Sequence, residues 1–581
     1  MTRRTLARSA ALSLALTCLA APALAGVVAE PVRYDAPGAA VSLTPLGSYE
    51  SGAFDESASE VVAWYAAGQR ALVVNAQSGT VEVLDAAAPS APAKVGEIVA
   101  AGVRAADGSV IPEGTVANSV AVRADGLAVV AVEAPVKTDA GWLLVADVRD
   151  ESPVLLGAVR VGSLPDMVAL TPRGERALVA NEAEPAEDYS VDPEGTVSVV
   201  ELPRQLADRG RSREHGSQAL TQDAVRTAGF HAFEDNLPEG VRIFGGRQDA
   251  GTGTPELPVS ENLEPEYVTV AADGRTAWVS LQEANALAVL DVSSATITDV
   301  LPLGTVDHSV VPLDASDRDG MINVRTWPTQ GFRMPDAIAS YTVRGRDYIV
   351  TANEGDSRDW EGYSEEARVK DLGRDGLPPV CDSVAAQAGM SVADLRKDAN
   401  LGRMKITLAQ GLDPAQGCYS TLYGFGGRGF SIVDGEGHLV FDSGDELERV
   451  VAAAAPDHFN TDHSETRFDS RSDDKGPEPE GVVIGEVEGR TYAFIALERV
   501  GGVVVYDITE PAEAFLVSYL NNRNVAVSVE DDPASLAVAG DLGPEGLAFV
   551  AAEDSPTGTP LLITGNEVSG TTTFLEVTSL R

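Results

Sequence analysis

The chain has 581 residues, 44% of them hydrophobic, and its 56 glycines and 33 prolines predict many turns around a large core. Its 88 acidic residues outnumber 43 basic ones and give a formal net charge of −45, which excludes nucleic acid and anionic lipid as partners. Such a charge is typical either of a solvated acidic surface or of a protein that binds cations. The positions of the acids along the fold distinguish these two interpretations.

Residues 1–25 are predicted to be a signal peptide. Arg3 and Arg4 begin a basic region, residues 10–20 are apolar, and residues 23–25 form an A-x-A cleavage site. The arginine pair is also compatible with twin-arginine export. We therefore expect a secreted or periplasmic protein whose mature chain has no membrane span and no C-terminal anchor.

Export leaves two cysteines, Cys381 and Cys418, in the mature chain. An even pair in an oxidising compartment favours one disulfide, which would close the segment between them. Two free thiols are the alternative.

One pattern recurs seven times: a small residue or proline, a polar residue that is usually acidic, an apolar run, a turn, and a second apolar run that ends in a polar residue. Its polar residues are Glu60, Asn118, Asp166, Glu266, Asp336, Glu480 and Glu545. Each copy describes a β-hairpin, and most copies continue into a third run that ends in aspartate. Such a repeat predicts an all-β fold, a seven-bladed β-propeller over residues 40–578.

The seventh repeat lacks an outer strand after residues 571–578. Residues 41–49 belong to no repeat, and we expect them to supply that strand and close the propeller. Insertions fall at residues 204–223 and, with both cysteines, at residues 359–423; an acidic stretch at 457–474 precedes the sixth repeat. Insertions in a propeller lie on its faces, where binding residues commonly sit.

Equivalent positions in the repeats are expected to meet around the central channel. We call the seven polar residues of the pattern the first ring. The residues that end the second runs form the second ring: Asn75, Glu133, Glu182, Glu283, Glu354, Glu498 and Glu567. Six of the seven residues in each ring are carboxylates.

Carboxylates gathered in this way repel one another, by about 4 kcal/mol for a pair roughly 4 Å apart. They must take up protons or bind cations, and calcium suits a flexible set of oxygen ligands better than magnesium does. The predicted metal ligands are Glu60, Asp166, Glu182, Glu266, Glu283, Asp336, Glu354, Glu480, Glu498, Glu545 and Glu567. Capping of strand ends, or simple exposure to solvent, is the alternative role for these acids.

Three basic residues, Arg358, Lys475 and Arg499, lie beside ring positions in the sequence. They are candidates either for binding a substrate phosphate or for balancing the charge of the acids. The pairs Asp457-His458 and Asp462-His463 are compatible with a transition metal or with a solvated acidic loop.

Several stretches resemble the choice-of-anchor I family, which includes proteins similar to mesenchyme-specific cell surface glycoprotein. They are residues 263–267 (LEPEY), 314–320 (DASDRDG), 353–358 (NEGDSR), 472–481 (SDDKGPEPEG) and 497–499 (LER). The resemblance extends over residues 40–578 and implies an exported protein related to members described as alkaline-phosphatase-like. A looser similarity of architecture links the chain to β-propeller phytases, which hold phosphate with calcium in an acidic channel.

The sequence therefore supports a calcium-dependent phosphatase or phosphoesterase that acts on a small phosphorylated substrate. Two alternatives stay open. One is a non-catalytic propeller with structural calcium that binds a cell-surface or extracellular-matrix component. The other is a hydrolase of the lactonase or esterase type. A monomer is expected in each case.

Overall fold

The structure is a computed structural model, and it describes residues 26–206, 220–243 and 258–580. The predicted signal peptide and most of the insertion at residues 204–223 lie outside the described residues. Within the described ranges, no helix combines the length and apolar character needed to cross a membrane. The prediction of an all-β fold is confirmed, because strands far outnumber helices in the described chain.

Seven antiparallel sheets of four or five strands follow one another along the described chain, and we number them by their first strands. Sheet 1 contains Val62–Tyr65, Arg70–Asn75, Thr80–Asp85 and Ala93–Val99. Sheet 2 contains Val116–Val122, Leu127–Glu133, Ala140–Asp147 and Val154–Ser163. Sheet 3 contains Pro165–Leu170, Arg176–Asn181, Thr196–Glu201 and Val225–Gly229. Sheet 4 contains Val268–Val270, Thr276–Leu281, Ala286–Asp291 and Thr296–Pro302.

The remaining three large sheets follow the same plan, and two of them take a strand from the N-terminal part of the chain. Sheet 5 contains Ile338–Val343, Arg346–Ala352, Phe430–Asp434 and Leu439–Asp442. Sheet 6 contains Pro479–Val487, Arg490–Leu497, Val503–Asp507, Phe515–Asn521 and Val32–Asp35. Sheet 7 contains Pro544–Val550, Leu561–Asn566, Thr571–Ser579 and Val41–Glu50.

The strand Val41–Glu50 pairs antiparallel with Thr571–Ser579, from Val41 opposite Ser579 to Glu50 opposite Thr571. It stands where the seventh repeat lacks an outer strand in the sequence. The strand Val32–Asp35 pairs with Phe515–Asn521 at the edge of sheet 6, which the repeat did not predict.

The chain between the strands of sheet 5 forms a small subdomain around residues 359–423. Its strands are Glu366–Arg368, Lys405–Thr407, Leu412–Asp413, Cys418–Tyr419 and Tyr423–Gly424. Two further short strands, Thr305–Asp307 and Gln330–Phe332, come just before sheet 5. Cys381 and Cys418 form a disulfide there, so the predicted pairing is confirmed. Trp327, Leu395 and Tyr419 pack in a hydrophobic core of its own.

Helices are few and short in the described chain. The α-helices are Asp382–Gln387, Val392–Leu395, Glu446–Ala454 and Leu536–Ala539. The 3₁₀ turns are Ala66–Gly68, Gln222–Ala224, His231–Phe233, Val259–Glu261, Val369–Asp371, Pro456–His458, Pro511–Glu513 and Pro533–Ser535.

The large sheets are buried on both faces, because alternate residues of a strand face different neighbouring sheets. In the second strand of sheet 2, Val129 and Ala131 pack against sheet 3, whereas Ala128 and Val130 pack against sheet 1. A comparable hydrophobic cluster joins sheet 7 to sheet 1. The apolar runs of the repeat thus form cores between consecutive sheets.

The first strand of each sheet contacts the first strand of the next, and that of sheet 7 contacts that of sheet 1. A cavity of about 250 Å³ lies among them. Its lining includes a residue from each of these strands or their immediate start: Val62, Val120, Val168, Tyr267, Ala337, Gly481 and Leu547. We call this cavity the channel.

Glycine lets the first strands approach closely in sheets 6 and 7. A Cβ atom on Gly481 would overlap the backbone carbonyl of Glu545, and one on Gly546 would overlap that of Glu60. Both glycines follow a first-ring glutamate in a Pro-Glu-Gly sequence. The repeated glycine therefore permits the close packing of neighbouring first strands.

We expect Gly481→Ala to destabilise the protein by about 1–3 kcal/mol, because the new methyl group meets backbone that cannot rotate away. Gly229→Ala is the matched control, since the nearest atom to its Cβ would be Thr196 Cγ2 at 3.8 Å, an ordinary contact. Chemical denaturation of both variants measures the difference. Equal stability of the two would contradict the close approach described above.

Candidate metal centre

Backbone hydrogen bonds hold the two rings at the same end of the sheets. A second-ring residue follows the second strand, and its amide donates to the residue two positions before the first-ring acid. This bond recurs in sheets 3, 6 and 7: Glu182 N to Leu164 O at 2.9 Å, Glu498 N to Glu478 O at 2.9 Å, and Glu567 N to Gly543 O at 2.8 Å. Equivalent acids therefore point to one region of space.

The accepting residue of this bond adopts a left-handed backbone. The φ angle is +42° at Leu164, +53° at Glu478 and +63° at Gly543, and Met334 holds the same place in sheet 5 with +46°. Left-handed conformations are costly for residues other than glycine and persist only where the surrounding structure enforces them. The tight turn before the first-ring acid is thus a feature that sheets 3, 5, 6 and 7 share at this end of the channel.

Two sets of three carboxylates converge at sheets 5, 6, 7 and 1. Oxygens of Asp336, Glu354 and Glu480 lie within 4.8 Å of one another, and so do oxygens of Glu60, Glu545 and Glu567. Two further sets with the same spacing connect them, one of Glu354, Glu478 and Glu498 and one of His463, Glu498 and Glu567. The structure thus brings these six ring residues together in two sets of three.

Burial and mutual repulsion hold protons on these groups. Burial, with the charges of Glu567 and Asp166, raises the pKa of Glu60 to about 8. Burial and Glu498 raise the pKa of Glu567 to about 7, although His463 and Arg499 oppose the shift. The pKa values of Asp336, Glu480 and Glu545 are raised well above their ordinary range by burial and neighbouring carboxylates.

The acids of sheets 2, 3 and 4 form the other side of the same end. Burial, with Glu184 and Glu133, raises the pKa of Asp166 to about 7. Burial raises the pKa of Glu283 to about 7 as well, although Arg358 opposes the shift. The pKa values of Glu182 and Glu266 are raised well above their ordinary range. Burial is the main cause, followed by the charge of Glu184 for Glu182 and of Glu283 for Glu266.

The ring positions that lack a carboxylate use an amide instead. Asn118 Nδ2 donates to Glu133 Oε2 at 3.4 Å, and Asn75 Nδ2 donates to Glu82 Oε1 at 3.3 Å. Glu82 also pairs with Lys94 at 2.9 Å. These contacts leave sheets 1 and 2 with less unbalanced charge than sheets 3 to 7.

Glu478 is the centre of the basic residues near sheet 6. Arg471 Nη2 lies 2.6 Å from its Oε1, and Lys475 Nζ and Arg499 Nε each lie 3.3 Å from its Oε2. Burial opposes the ionisation of Glu478, yet Lys475, Arg471 and Arg499 lower its pKa to about 2. Glu478 is therefore an ionised anchor for these cations.

Each phosphate-binding candidate is paired with a carboxylate. Lys475 Nζ lies 2.7 Å from Glu354 Oε1, and Arg499 Nη1 lies 2.9 Å from Glu498 Oε1. Arg358 is fully buried and lies 2.6 Å from Glu264 Oε1, with Tyr189 accepting a further hydrogen bond at 2.9 Å. This arrangement fits the charge-balancing role, one of the two roles predicted for these residues.

The segment after Glu354 covers the acids of sheets 3 and 4. Glu365 pairs with Arg242, Tyr363 stacks edge-on against Tyr189, and Lys137 lies over the ring of Trp360 at 3.9 Å. Arg358 reaches Glu264 from this segment. The insertion thus contributes a cation and a cover to the acidic end.

Several buried carboxylate oxygens still lack a hydrogen-bond donor. In the described chain, Glu266 Oε2, Glu480 Oε2 and Glu498 Oε2 have no such partner. Buried charged oxygens without donors are costly, and a bound cation satisfies them. The side chains that could act as metal ligands here are almost all carboxylates, which fit a hard cation such as calcium better than a soft metal.

Alignment of the repeats alone missed several residues of this centre. Glu264 and Glu478 each stand two residues before a first-ring glutamate in the sequence Glu-Pro-Glu, and Glu184 stands two residues after Glu182. The repeated Glu-Pro-Glu was a signal that could have found the first two. In the sequence His463 stands beside Asp462 in the acidic stretch, and no repeat position predicts its approach to Glu498 and Glu567.

Comparison of sequences identifies similar proteins. The sequence profile of the choice-of-anchor I domain matches residues 60–511. Mesenchyme-specific cell surface glycoprotein of Strongylocentrotus purpuratus is 31% identical over 280 residues, 43% of this chain and 35% of that protein. Gigasin-3a of Magallana gigas is 27% identical over 197 residues, 32% of this chain and 69% of that protein. The match to the first relative thus spans about a third of its length.

Two solved structures to which the chain is similar have low sequence identity to it. Hydrazine synthase of Kuenenia stuttgartiensis gives a TM-score of 0.40 at 12% identity, covering 91% of this chain and 99% of that one. The WD40 domain of Toxoplasma gondii coronin gives 0.43 at 8% identity, covering 95% and 90%.

In protein stripped of divalent cations, we expect the melting temperature to fall as the pH rises from about 5 to 8. The pKa is about 8 for Glu60 and about 7 for Asp166, Glu283 and Glu567 when folded. Unfolded carboxyls titrate near pH 4, so the folded protein holds more protons over this interval and loses stability as they leave.

Thermal unfolding in a chelator at several pH values measures this slope. Glu60→Gln, which cannot ionise, should show a shallower slope than the unmodified protein. A melting temperature that is constant or rises over the interval would refute the prediction.

Proposed function

The chain belongs to the choice-of-anchor I domain family, and we propose that it is an extracellular β-propeller of the cell-surface type that binds calcium at the acidic end of its channel. The proposed propeller has seven blades, one for each large sheet, and the strand Val41–Glu50 closes it. The circuit of contacts among the first strands and the common cavity support this architecture. The predicted signal peptide and the cell-surface relative support the location.

One observation carries the calcium proposal. Oxygens of Asp336, Glu354 and Glu480 converge from two sheets, and the buried Glu480 Oε2 has no donor in the described chain. A divalent cation bound there removes both costs, because it screens the repulsion and satisfies the free oxygen.

The donor set favours calcium over other cations. Calcium takes about six to eight oxygen ligands in flexible arrangements, whereas magnesium demands strict octahedral placement. Asp336, Glu354 and Glu480 would hold the cation, and Glu478 and Glu498 are further carboxylates within 4.8 Å of Glu354. When bound, the cation supplies positive charge at a point where the chain itself supplies mostly negative charge.

A binding function fits the basic residues better than a catalytic one. Arg358 and Arg499 are each held by a carboxylate and are not poised for a substrate phosphate. We therefore propose that the centre rigidifies the propeller and that its loops bind a cell-surface or extracellular-matrix component. The protein would act as a monomer.

A metal-dependent phosphoesterase is the second candidate, and Lys475 favours it. Its Nζ lies 2.7 Å from Glu354, a proposed calcium ligand, so a phosphate held on the cation would also meet an ammonium group. The Lys475 side chain would bind and orient such a phosphate. Its pKa is raised well above the ordinary range by Glu354, Glu478 and Asp356 despite burial, so it carries charge at neutral pH.

We expect calcium to raise the melting temperature of the unmodified protein and Glu480→Gln to reduce that shift strongly. Saturation at a hundredfold excess over the dissociation constant stabilises a folded protein by about 2.7 kcal/mol. Glu513→Gln is the matched control, because Glu513 is exposed in a turn after sheet 6's third strand. Calorimetric titration with calcium and magnesium gives the affinities. An unchanged calcium shift in Glu480→Gln would refute the proposed ligands.

Hydrolysis assays separate the two candidate functions. With p-nitrophenyl phosphate and calcium, we expect no turnover beyond background, and the same with aryl-ester and lactone substrates. Calcium-dependent hydrolysis of the phosphate ester that Lys475→Met abolishes, with calcium affinity retained, would instead establish the phosphoesterase. Hydrolysis of esters or lactones alone would favour the lactonase-type alternative.

A further inference from the structure

The first residues of the described chain are held at the junction of sheets 6 and 7. The side-chain amide of Asn522 binds them twice, since its Nδ2 donates to Gly26 O at 3.0 Å and its Oδ1 accepts from Val28 N at 3.1 Å. Asn522 is 3% exposed and follows the strand Phe515–Asn521 of sheet 6. The backbone at Gly26 therefore has a fixed place in the fold.

Only glycine fits this place well. Gly26 has a left-handed backbone with φ of +66°, and a Cβ atom on it would lie 2.5 Å from Ser48 Cβ and 3.3 Å from Glu50 Oε1. Any other residue meets both a strained backbone and an overlap with Ser48. Ser48 and Glu50 belong to the strand Val41–Glu50 of sheet 7, so Gly26 contacts both sheets.

A buried acid lies beside the exposed Glu50 at this junction. Asn522 Nδ2 also donates to Asp541 Oδ2 at 3.0 Å, so one amide nitrogen connects this carboxylate with Gly26 O. Two threonines of sheet 7 donate to the other oxygen of Asp541. Burial raises the pKa of Asp541 to about 6, and the charge of Glu50 adds to that shift although these hydrogen bonds oppose it.

The two carboxylates have no basic side chain of their own. Among the described residues, no arginine or lysine forms an ion pair with Glu50 or Asp541. Arg523, the basic residue nearest to Asp541 in the sequence, donates instead to two backbone carbonyls of the acidic stretch. A cavity of about 280 Å³ lies beside Gly26 and includes Glu50 in its lining. The junction therefore has room for a cation and a charge that it would offset.

Gly26 is also the residue that follows the predicted A-x-A cleavage site at residues 23–25. Cleavage there adds water across the Ala25–Gly26 peptide bond. Ala25 keeps the new carboxylate, and the nitrogen of Gly26 becomes an ammonium group whose ordinary pKa is about 8. This nitrogen is about 2.5 Å from the Cβ position of its own residue, and that position is 3.3 Å from Glu50 Oε1. The reaction thus creates a cation within reach of Glu50.

We infer that cleavage by a signal peptidase completes the junction of sheets 6 and 7, because the new Gly26 ammonium pairs with Glu50 and offsets the negative charge next to Asp541. Before cleavage, an uncharged amide occupies the same point. The segment leads directly into Val32–Asp35 and Val41–Glu50, the N-terminal strands of sheets 6 and 7. Removal of the predicted signal peptide would therefore hold both strands more firmly. The inference does not depend on calcium at the channel centre.

Two forms of the mature protein test the inference. One begins with a free Gly26, and the other keeps residues 21–25, so that Gly26 carries an amide; both are prepared by specific cleavage of fusion proteins. Each form is made unmodified, as Glu50→Gln and as Glu30→Gln. Glu30 is the matched control, because it is an exposed glutamate of the same segment.

Hydrogen exchange of residues 26–35 and 522–541, measured in a chelator, is the readout. We expect exchange to be about two- to fivefold slower in the free-Gly26 form than in the extended form, which is the range for one solvent-accessible ion pair. This difference should disappear in Glu50→Gln and persist in Glu30→Gln. Equal exchange in the two unmodified forms, or a difference that survives Glu50→Gln, would overturn the inference.

Two further measurements examine the position of the ammonium group. N-terminal sequencing of the exported protein should find Gly26 as the first residue, and any other first residue would overturn the inference. Gly26→Ala keeps the ammonium group, but its methyl group overlaps Ser48. We expect this variant to lose the slower exchange of the free form, and full retention would contradict the fixed place described for Gly26.

Discussion

Repulsion among carboxylates buried at one end of the first strands is the constraint on which the rest of the structure depends. The hairpins bring these acids together whatever their charge, because in sheets 3, 5, 6 and 7 the first-ring acid follows the same left-handed turn. Cations of the chain offset part of this repulsion: the buried Arg358 lies against Glu264, and the buried Lys475 with the half-buried Arg471 and Arg499 surrounds Glu478. What these cations leave unbalanced is carried by protons or by a bound metal ion.

The order of sheets could be predicted from the sequence, and two features of the fold could not. Alternating apolar runs around glycine turns identify each hairpin, since both faces of every sheet are buried. The strand Val32–Asp35 is four residues long and follows no repeat, so only its pairing with Phe515–Asn521 defines it. The insertion packs around its own core and disulfide, and no neighbouring repeat gives a template for its short strands.

The sequence predicts which carboxylates of the candidate centre lie at the same level of the channel, but not which basic residue pairs with each of them. Repeat position indicates which carboxylates share a level of the channel, and Asp336 and Glu480 meet accordingly. Which cation neutralises which acid depends on contacts between distant segments, such as Lys475 with Glu354, that no local pattern records.

The two N-terminal strands have a consequence for how the molecule assembles. Among the strands of the described ranges, Val32–Asp35 and Val41–Glu50 come first along the chain, and their partners, Phe515–Asn521 and Thr571–Ser579, come among the last. Sheets 1 to 5 can form while the ribosome is still working, whereas the outer edges of sheets 6 and 7 must wait for almost the whole polypeptide. During that interval the leading strands are unpaired edges, so completion of the molecule is a post-translational event that proteases and chaperones can intercept.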